Sequence, residues 1–183
     1  MYGSRVELAK RALMLFLYSL PPGSRFNVCS YGSKFSFLFP NERSVPYNDD
    51  TLHEAVSQIQ KFKANYGGTE IFKPLQSIFN MGDIPADCTT SHIYLLTDGA
   101  VWDVQKIIRL VASKSSMQQR VQTFGIGNGA SEELIKQAAF KGFGQYYFIY
   151  NEEEIEERVV NALRKSRLQY QVMQHVRLFD AQR

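Results

Sequence analysis

Cysteine, tryptophan and histidine are scarce in this chain: 183 residues hold two cysteines, one tryptophan and three histidines. Cys29 and Cys88 form no CxxC pair, which excludes a disulfide scaffold, a thiol-ligated metal site and a dithiol redox motif. Cys29 stands in an apolar, strand-like run and reads as a small buried hydrophobe. The same scarcity leans toward a reducing compartment, so the expected location is cytoplasmic, with extracellular as the alternative. His53, His92 and His175 are scattered, with no Ser or Cys partner placed by motif. GxSxG, HExxH and Walker A sequences are all missing, and the chain is expected not to be an enzyme. An excess of one charge is missing too. Lys and Arg number 21 against 18 Asp and Glu, for a net +3, with no basic cluster before the C-terminal helix. That excludes the electrostatic footprint of a nucleic-acid binder. The apolar stretch 12–20 is too short to cross a bilayer, and Met1-Tyr2-Gly3-Ser4-Arg5 does not open a signal peptide, so no membrane partner is expected. No internal repeat or low-complexity segment occurs.

What is present is an ordinary globular balance, 44% hydrophobic and 21% charged, with 13 Phe and 10 Tyr to fill the core. A chain of this length suits one domain. Ser4 and Glu7 match a capping box, and the apolar spacing after them predicts a buried helix ending at Pro21-Pro22-Gly23. Residues 25–31 and 34–39 read as strands joined by a tight turn at Gly32-Ser33, with Gly supplying positive φ. Thr51 and Glu54 suggest a second capping box opening a helix to about Lys63. A turn at Asn65-Tyr66-Gly67-Gly68-Thr69-Glu70 then leads into a short helix over 75–79. Pro74 is tolerable only near that helix's first turn.

The rest alternates regularly. Strands are expected over 92–97, 121–125 and 145–150, and helices over 101–113, 132–140 and 152–170. Strands alternating with helices of this length imply βαβ crossovers: an α/β fold with a Rossmann-like, doubly wound, mostly parallel sheet, helices on both faces, and one antiparallel hairpin strand. The last helix opens with Glu152, Glu153 and Glu154 and closes with Arg164, Lys165 and Arg167, which matches the helix macrodipole. Residues 171–183 form a tail. Weak alternation at Val172, Val176 and Leu178 suggests an extra strand or the start of a following segment.

Ligands of open parallel sheets bind at the carboxyl ends of the strands, and three segments reach that edge. Asp98-Gly99 ends an apolar strand with a carboxylate that could hold a hard cation or cap the next helix. Gly67-Gly68-Thr69-Glu70 offers close backbone approach and a hydroxyl, or a plain N-cap. The segment from Gly125 to Ala130 fits a relaxed G-x-G-x-x-A fingerprint. A tight βα turn is the favoured reading there, because no acid ends the next strand. A nucleotide- or dinucleotide-binding enzyme domain stays as one alternative function, and a structural segment of a larger multidomain protein as another.

Five runs in order carry a resemblance: the run from Gly3 to Lys10, the run from Leu20 to Asn27, Gly67-Gly68-Thr69-Glu70-Ile71, Leu95-Leu96-Thr97-Asp98-Gly99, and Thr123-Phe124-Gly125-Ile126-Gly127. They resemble von Willebrand factor A domains over residues 1–165. The likeness is strongest to the subgroup that follows a VIT domain, as in inter-alpha-trypsin-inhibitor heavy chains. The resemblance implies a domain over 1–170 for protein–protein interaction, adhesion or scaffolding. It also implies a metal-ion-dependent adhesion site holding Mg²⁺ and meeting an acidic residue of a protein partner, with other domains of the same polypeptide as further partners. Thr69 and Asp98 match the family's downstream metal ligands, and Tyr2, Gly3, Gly67, Gly68, Glu70 and Gly99 fall on the ligand face. The family's D-x-S-x-S loop and first strand would precede Gly3. The resemblance therefore implies a metal site reduced to Thr69 and Asp98, weak or absent Mg²⁺ binding, and a sheet without its central first strand between 25–31 and 92–97. Truncation is preferred here to a strand supplied by another chain or to direct closure of the gap.

Overall fold

An eight-residue strand buried on both faces organises the molecule. The computed structural model describes residues 4–40, 43–62, 70–81, 84, 86, 88–98 and 101–180, with the backbone alone at 4, 5 and 167–180. Element order is α1 (Ser4–Tyr18), β1 (Arg25–Phe26), β2 (Cys29–Tyr31), β3 (Phe35–Phe37), β4 (Val45–Pro46), α2 (Asp49–Gln60), α3 (Phe72–Phe79) and β5 (Ser91–Thr97). Then follow α4 (Val104–Lys114), β6 (Gln119–Ile126), α5 (Glu132–Lys141), β7 (Tyr146–Ile149) and α6 (Glu153–Asp180). All of β6 after Gln119 is buried, as a parallel strand covered on both sides requires. It pairs in parallel with β5 from Ser91↔Gln119 to Thr97↔Gly125, and with β7 from Thr123↔Tyr146 to Ile126↔Ile149.

Side chains alternate across this sheet and build a core on each face. On one face Ile93, Leu95 and Val121 pack against α3, α4 and α5 through Leu75, Ile107, Val111 and Leu134. On the other, Phe124, Ile126, Tyr147 and Ile149 meet α1 and α6. Phe16 of α1 is the pivot of the second core. Its ring lies 4.7 Å from Tyr94 and 5.2 Å, edge-on, from Phe124, which stacks on Tyr147 at 4.9 Å. Helices on both faces of a parallel sheet confirm the doubly wound α/β reading.

Local details depart from expectation for identifiable reasons. The 25–31 strand is broken at Asn27, whose side-chain carbonyl accepts from the Val28 and Phe39 amides while its own amide donates to the Phe39 carbonyl. Those bonds replace ladder bonds, leaving β1 paired with β4 and β2 with β3. The β2–β3 turn spans three residues, Gly32 to Lys34, since Tyr31 faces Phe35. Gly32 is not among the positive-φ residues; Gly23 and Gly127 are. The capping box of α2 is built by Asn48 and Thr51 rather than by Thr51 and Glu54. Asn outranks Thr as an N-cap, and it stands at the required spacing. Pro74 lies in the first turn of α3, as its missing N–H demands. The extra strand suggested in the tail is not formed: α6 continues to Asp180. Val172, Val176 and Phe179 fit a spacing of four and three as well as alternation, and no Gly or Pro interrupts 153–180.

Between β1/β2 and β5 the sheet is open. The two sides do not pair with each other, so the gap is not closed directly. A cavity of about 1300 Å³ separates them.

Replacing Phe124 by Ala should cost about 3–5 kcal/mol in urea unfolding, the range for large aromatic-to-Ala changes in a core. Trp102→Ala, at a position 92% exposed, should stay within about 0.5 kcal/mol of the parent. Equal losses in the two variants would contradict the described core.

Candidate functional site

β5 is built of Ile93, Tyr94, Leu95 and Leu96 after its first two residues, and Thr97 and Asp98 then bring polar groups to the carboxyl edge of the sheet. Asp98 is only 7% exposed. It does not cap the following helix. α4 begins at Val104, and its N-cap position is Asp103, which makes no side-chain capping bond. The capping explanation for this carboxylate therefore fails. Four residues further along the sequence, Trp102 stands almost fully in solvent. Tryptophan is a residue type enriched where proteins meet partners.

Tyr31, at the end of β2, reaches across the open part of the sheet. Its phenol donates to the Leu96 carbonyl at 2.5 Å. Burial pushes the Tyr31 phenol well above the usual range; the Thr97 hydroxyl opposes this and the Asp98 charge adds to it. Tyr31 is thus held protonated as a donor, and it ties β2 to the strand that presents Asp98. Neither Tyr31 nor Trp102 emerges from motif reading. The available signal was positional: each lies at the carboxyl edge of a predicted strand or just past it.

Of the other expected site residues, Glu70 is exposed. Its backbone amide donates to the Gly32 carbonyl at 3.1 Å, and its carboxylate pairs with Lys73 at 3.4 Å. The structure thus sets Glu70 against the β2–β3 turn. Tyr2, Gly3, Gly67, Gly68, Thr69 and Gly99 lie outside the described residues. A hard divalent cation takes six or more oxygen ligands, with carboxylates as the charged ones. Among the described residues no group of three or more His, Cys, Asp or Glu comes together. Asp98 by itself does not amount to a metal centre, and the described donors do not fit one.

The glycine-rich turn after β6 has a packing explanation. A Cβ on Gly125 would lie 2.7 Å from the Phe148 ring, and Gly127 has φ +70. The Gly127 amide donates to the Ile149 carbonyl at 2.8 Å, and Ser131 caps α5 through the Leu134 amide. Where a dinucleotide fingerprint would admit a pyrophosphate, Phe148 fills the space. The turn acts as a tight βα connection.

The isolated thiol and imidazole are also accounted for by burial. Burial raises the Cys29 thiol to about 12, far from a reactive thiolate. Burial, assisted by the Arg120 charge, lowers His92 to about 4.

A family model described as "von Willebrand factor type A domain" matches residues 1–148. The chain is 39% identical over 160 residues to von Willebrand factor A domain-containing protein 5A of Mus musculus, which covers 87% of this chain and 20% of that protein. Among solved structures it is similar to a von Willebrand factor type A protein from Catenulispora acidiphila, with TM-score 0.71 and 21% identity over 84% of this chain and 36% of the other. It is also similar to proximal thread matrix protein 1 from the mussel byssus, whose MIDAS motif is occupied by zinc in that structure. There the TM-score is 0.63, with 20% identity over 86% and 42% of the two chains. At such identities the structural likenesses bear on the fold. The chain spans about a fifth of the length of the curated relatives it matches.

The His92 imidazole makes stability depend on pH. It is neutral in the folded state below its ordinary value of 6.5, whereas the unfolded chain takes up a proton there. Its contribution is fully present above pH 6.5 and is lost as pH falls toward about 4, with a ceiling on the order of 3 kcal/mol. Urea unfolding between pH 7 and 4 should show that slope, and His92→Gln should reduce it. An unchanged slope in the variant would assign the acid sensitivity to other groups.

Proposed function

The chain belongs to the von Willebrand factor type A family, and from that premise we propose that it is a non-enzymatic domain for protein–protein interaction. It meets its partner on the face at the carboxyl ends of β5 and β6. The observation carrying this reading is Asp98, a buried carboxylate at a strand end that caps no helix. It stands close in sequence to Trp102, which is 92% exposed. Desolvated aromatics with a fixed charge nearby are what give a small interface its energy.

The finer features follow from the family. Mg²⁺ would be held by Thr69 and Asp98, and an acidic residue of the partner would complete its oxygen shell. Two protein side chains are few for an ion that demands near-octahedral oxygen coordination, so the chain by itself holds Mg²⁺ weakly. Partner contact then rests mainly on the surface around Trp102. Residues 1–170 act as the domain, within a polypeptide whose other parts are further candidate partners. The scarcity of cysteine, two in 183 residues, suits a reducing compartment such as the cytoplasm.

Isothermal titration of this chain with MgCl₂ should show no saturable micromolar binding; a micromolar isotherm would contradict the two-donor site. At millimolar Mn²⁺, paramagnetic broadening of amide resonances should centre on Asp98, Val101 and Trp102, and Asp98→Asn should abolish it. For the interaction itself, an array of acidic peptides probed in millimolar Mg²⁺ should lose capture on Trp102→Ala and show weaker capture on Asp98→Ala. Capture that is indifferent to Asp98 would remove this face from the proposal.

A further inference from the structure

The other border of the β5–β6–β7 sheet is β7, whose outer edge pairs with no strand among the described residues. Proteins blunt such edges with lysine, proline, a bulge or an inward charge. β4, at another edge, carries Pro46. β7 reads Tyr146-Tyr147-Phe148-Ile149 and has only its shortness as protection. The Thr123 amide donates to the Gln145 carbonyl at 3.0 Å, and the Gly127 amide donates to the Ile149 carbonyl at 2.8 Å. Residues 145, 147 and 149 thus serve β6, and the backbone groups of Tyr146 and Phe148 point outward. The next amide of that row, on Tyr150, donates to the Glu154 carboxylate at 2.8 Å.

The side chains follow the same parity. Tyr147 and Ile149 enter the core shared with α1 and α6, which leaves Tyr146, Phe148 and Tyr150 in a row on the α5 face. The Phe148 ring centre lies 6.2 Å from that of Tyr146 and 6.1 Å, stacked, from that of Tyr150. Alongside runs a stripe of α5: Glu132, Lys136, Phe140 and, just past the helix, Phe143 recur at spacings of four and three, which share one helix face. Lys136 donates to Glu132 at 2.6 Å. That carboxylate holds the ammonium above its usual range, and Tyr146 and Tyr150 add to the effect. The stripe therefore borders the aromatic row, and its acid and base neutralise each other. Phe140, Phe143, Tyr146 and Tyr150 are each about half exposed or more. Phe143 also stands at φ 54, one residue past the C-cap of α5, where glycine is the usual choice. The fold holds a bulky ring there at a conformational cost and leaves it half in solvent.

We infer that this surface is a self-association interface, in which β7 pairs antiparallel with β7 of a second copy about a two-fold axis at Phe148. The sequence Tyr146-Tyr147-Phe148-Ile149-Tyr150 is nearly symmetric about Phe148, which suits a patch that must complement itself. Phe148 then faces Phe148 of the other copy, and Tyr146 faces Tyr150, all on one face of a continuous sheet. The outward amides of Tyr146 and Phe148 donate across the axis, and rings that met water pack on each other between two α5 stripes. A foreign strand would fit this edge without any such symmetry. The contact is small: at about 150–250 Å² per aromatic, the four exposed rings offer roughly 300–550 Å² per copy, against about 800 Å² per partner in a standard interface. The dimer is accordingly weak and reversible, in the micromolar range. It uses neither Asp98 nor Trp102.

Sedimentation velocity of the 183-residue chain between about 1 and 200 µM should show a monomer–dimer equilibrium. Tyr146→Lys, which puts an edge-blunting charge into the row, should weaken it about tenfold or more. Phe143→Gly removes a ring and relieves the positive φ. It should weaken dimerisation about fivefold or more while leaving the melting temperature unchanged or raised. Disulfide formation reads the register: a mixture of Tyr146→Cys and Tyr150→Cys chains should cross-link under mild oxidation. Tyr146→Cys alone should not exceed the background of the parent chain, which carries Cys29 and Cys88. A chain that stays monomeric at the highest concentration overturns the proposal. A dimer indifferent to Tyr146→Lys and Phe143→Gly does so too, because the copies would then meet elsewhere, as does equal cross-linking of Tyr146→Cys with itself.

Discussion

Every strand carries two rows of backbone donors and acceptors, and among the described residues β5 pairs only one of them, on β6. The structure is arranged around the unused row. A buried polar group without a partner costs about 1–3 kcal/mol, and a domain has roughly 5–15 kcal/mol in all. The opening cannot be a dry void. At about 24 cal/mol per Å³, a space of this size would cost about 30 kcal/mol.

This constraint divides the molecule into two packed parts with different support. The β5–β6–β7 sheet has cores on both faces. The part built from β1–β4 and α2 has its own smaller cluster, around Phe26, Val28, Ala55 and Ile59. The parts are joined chiefly by α1, whose Phe16 packs on Tyr94 and Phe124 while Leu17 enters the smaller cluster. Tyr31 adds a hydrogen bond across the gap. Asp98 sits where these supports converge, at the end of the half-paired strand. The position of the proposed partner-binding carboxylate is thus coupled to whatever fills the opening beside it.

Much of this was legible in the sequence. Regular alternation after residue 90 specified parallel strands and their helices, because a strand buried on both faces reads as a continuous apolar run and its crossover as a helical stripe. Val45–Pro46 was not foreseen, since two residues containing a proline carry no strand pattern. Neither was the break at Asn27, whose effect depends on Phe39, twelve residues away. The tail misled because its apolar spacing fits two periods at once. At the site, Asp98 was identified by its place after an apolar strand. Tyr31 was not, because its role depends on an edge that exists only once the sheet is assembled. Thr69 lies outside the described residues and keeps the standing that the family resemblance confers on it.

The central claim is that one edge of β5 pairs with no strand among the described residues, and amide hydrogen exchange along β5 tests it residue by residue. The amides of Ile93, Leu95 and Thr97, directed at β6, should be strongly protected. Those of His92, Tyr94 and Leu96, directed at the opening, should exchange markedly faster. Equal protection of both rows would contradict the account, because it would mean that the second edge of β5 is already paired.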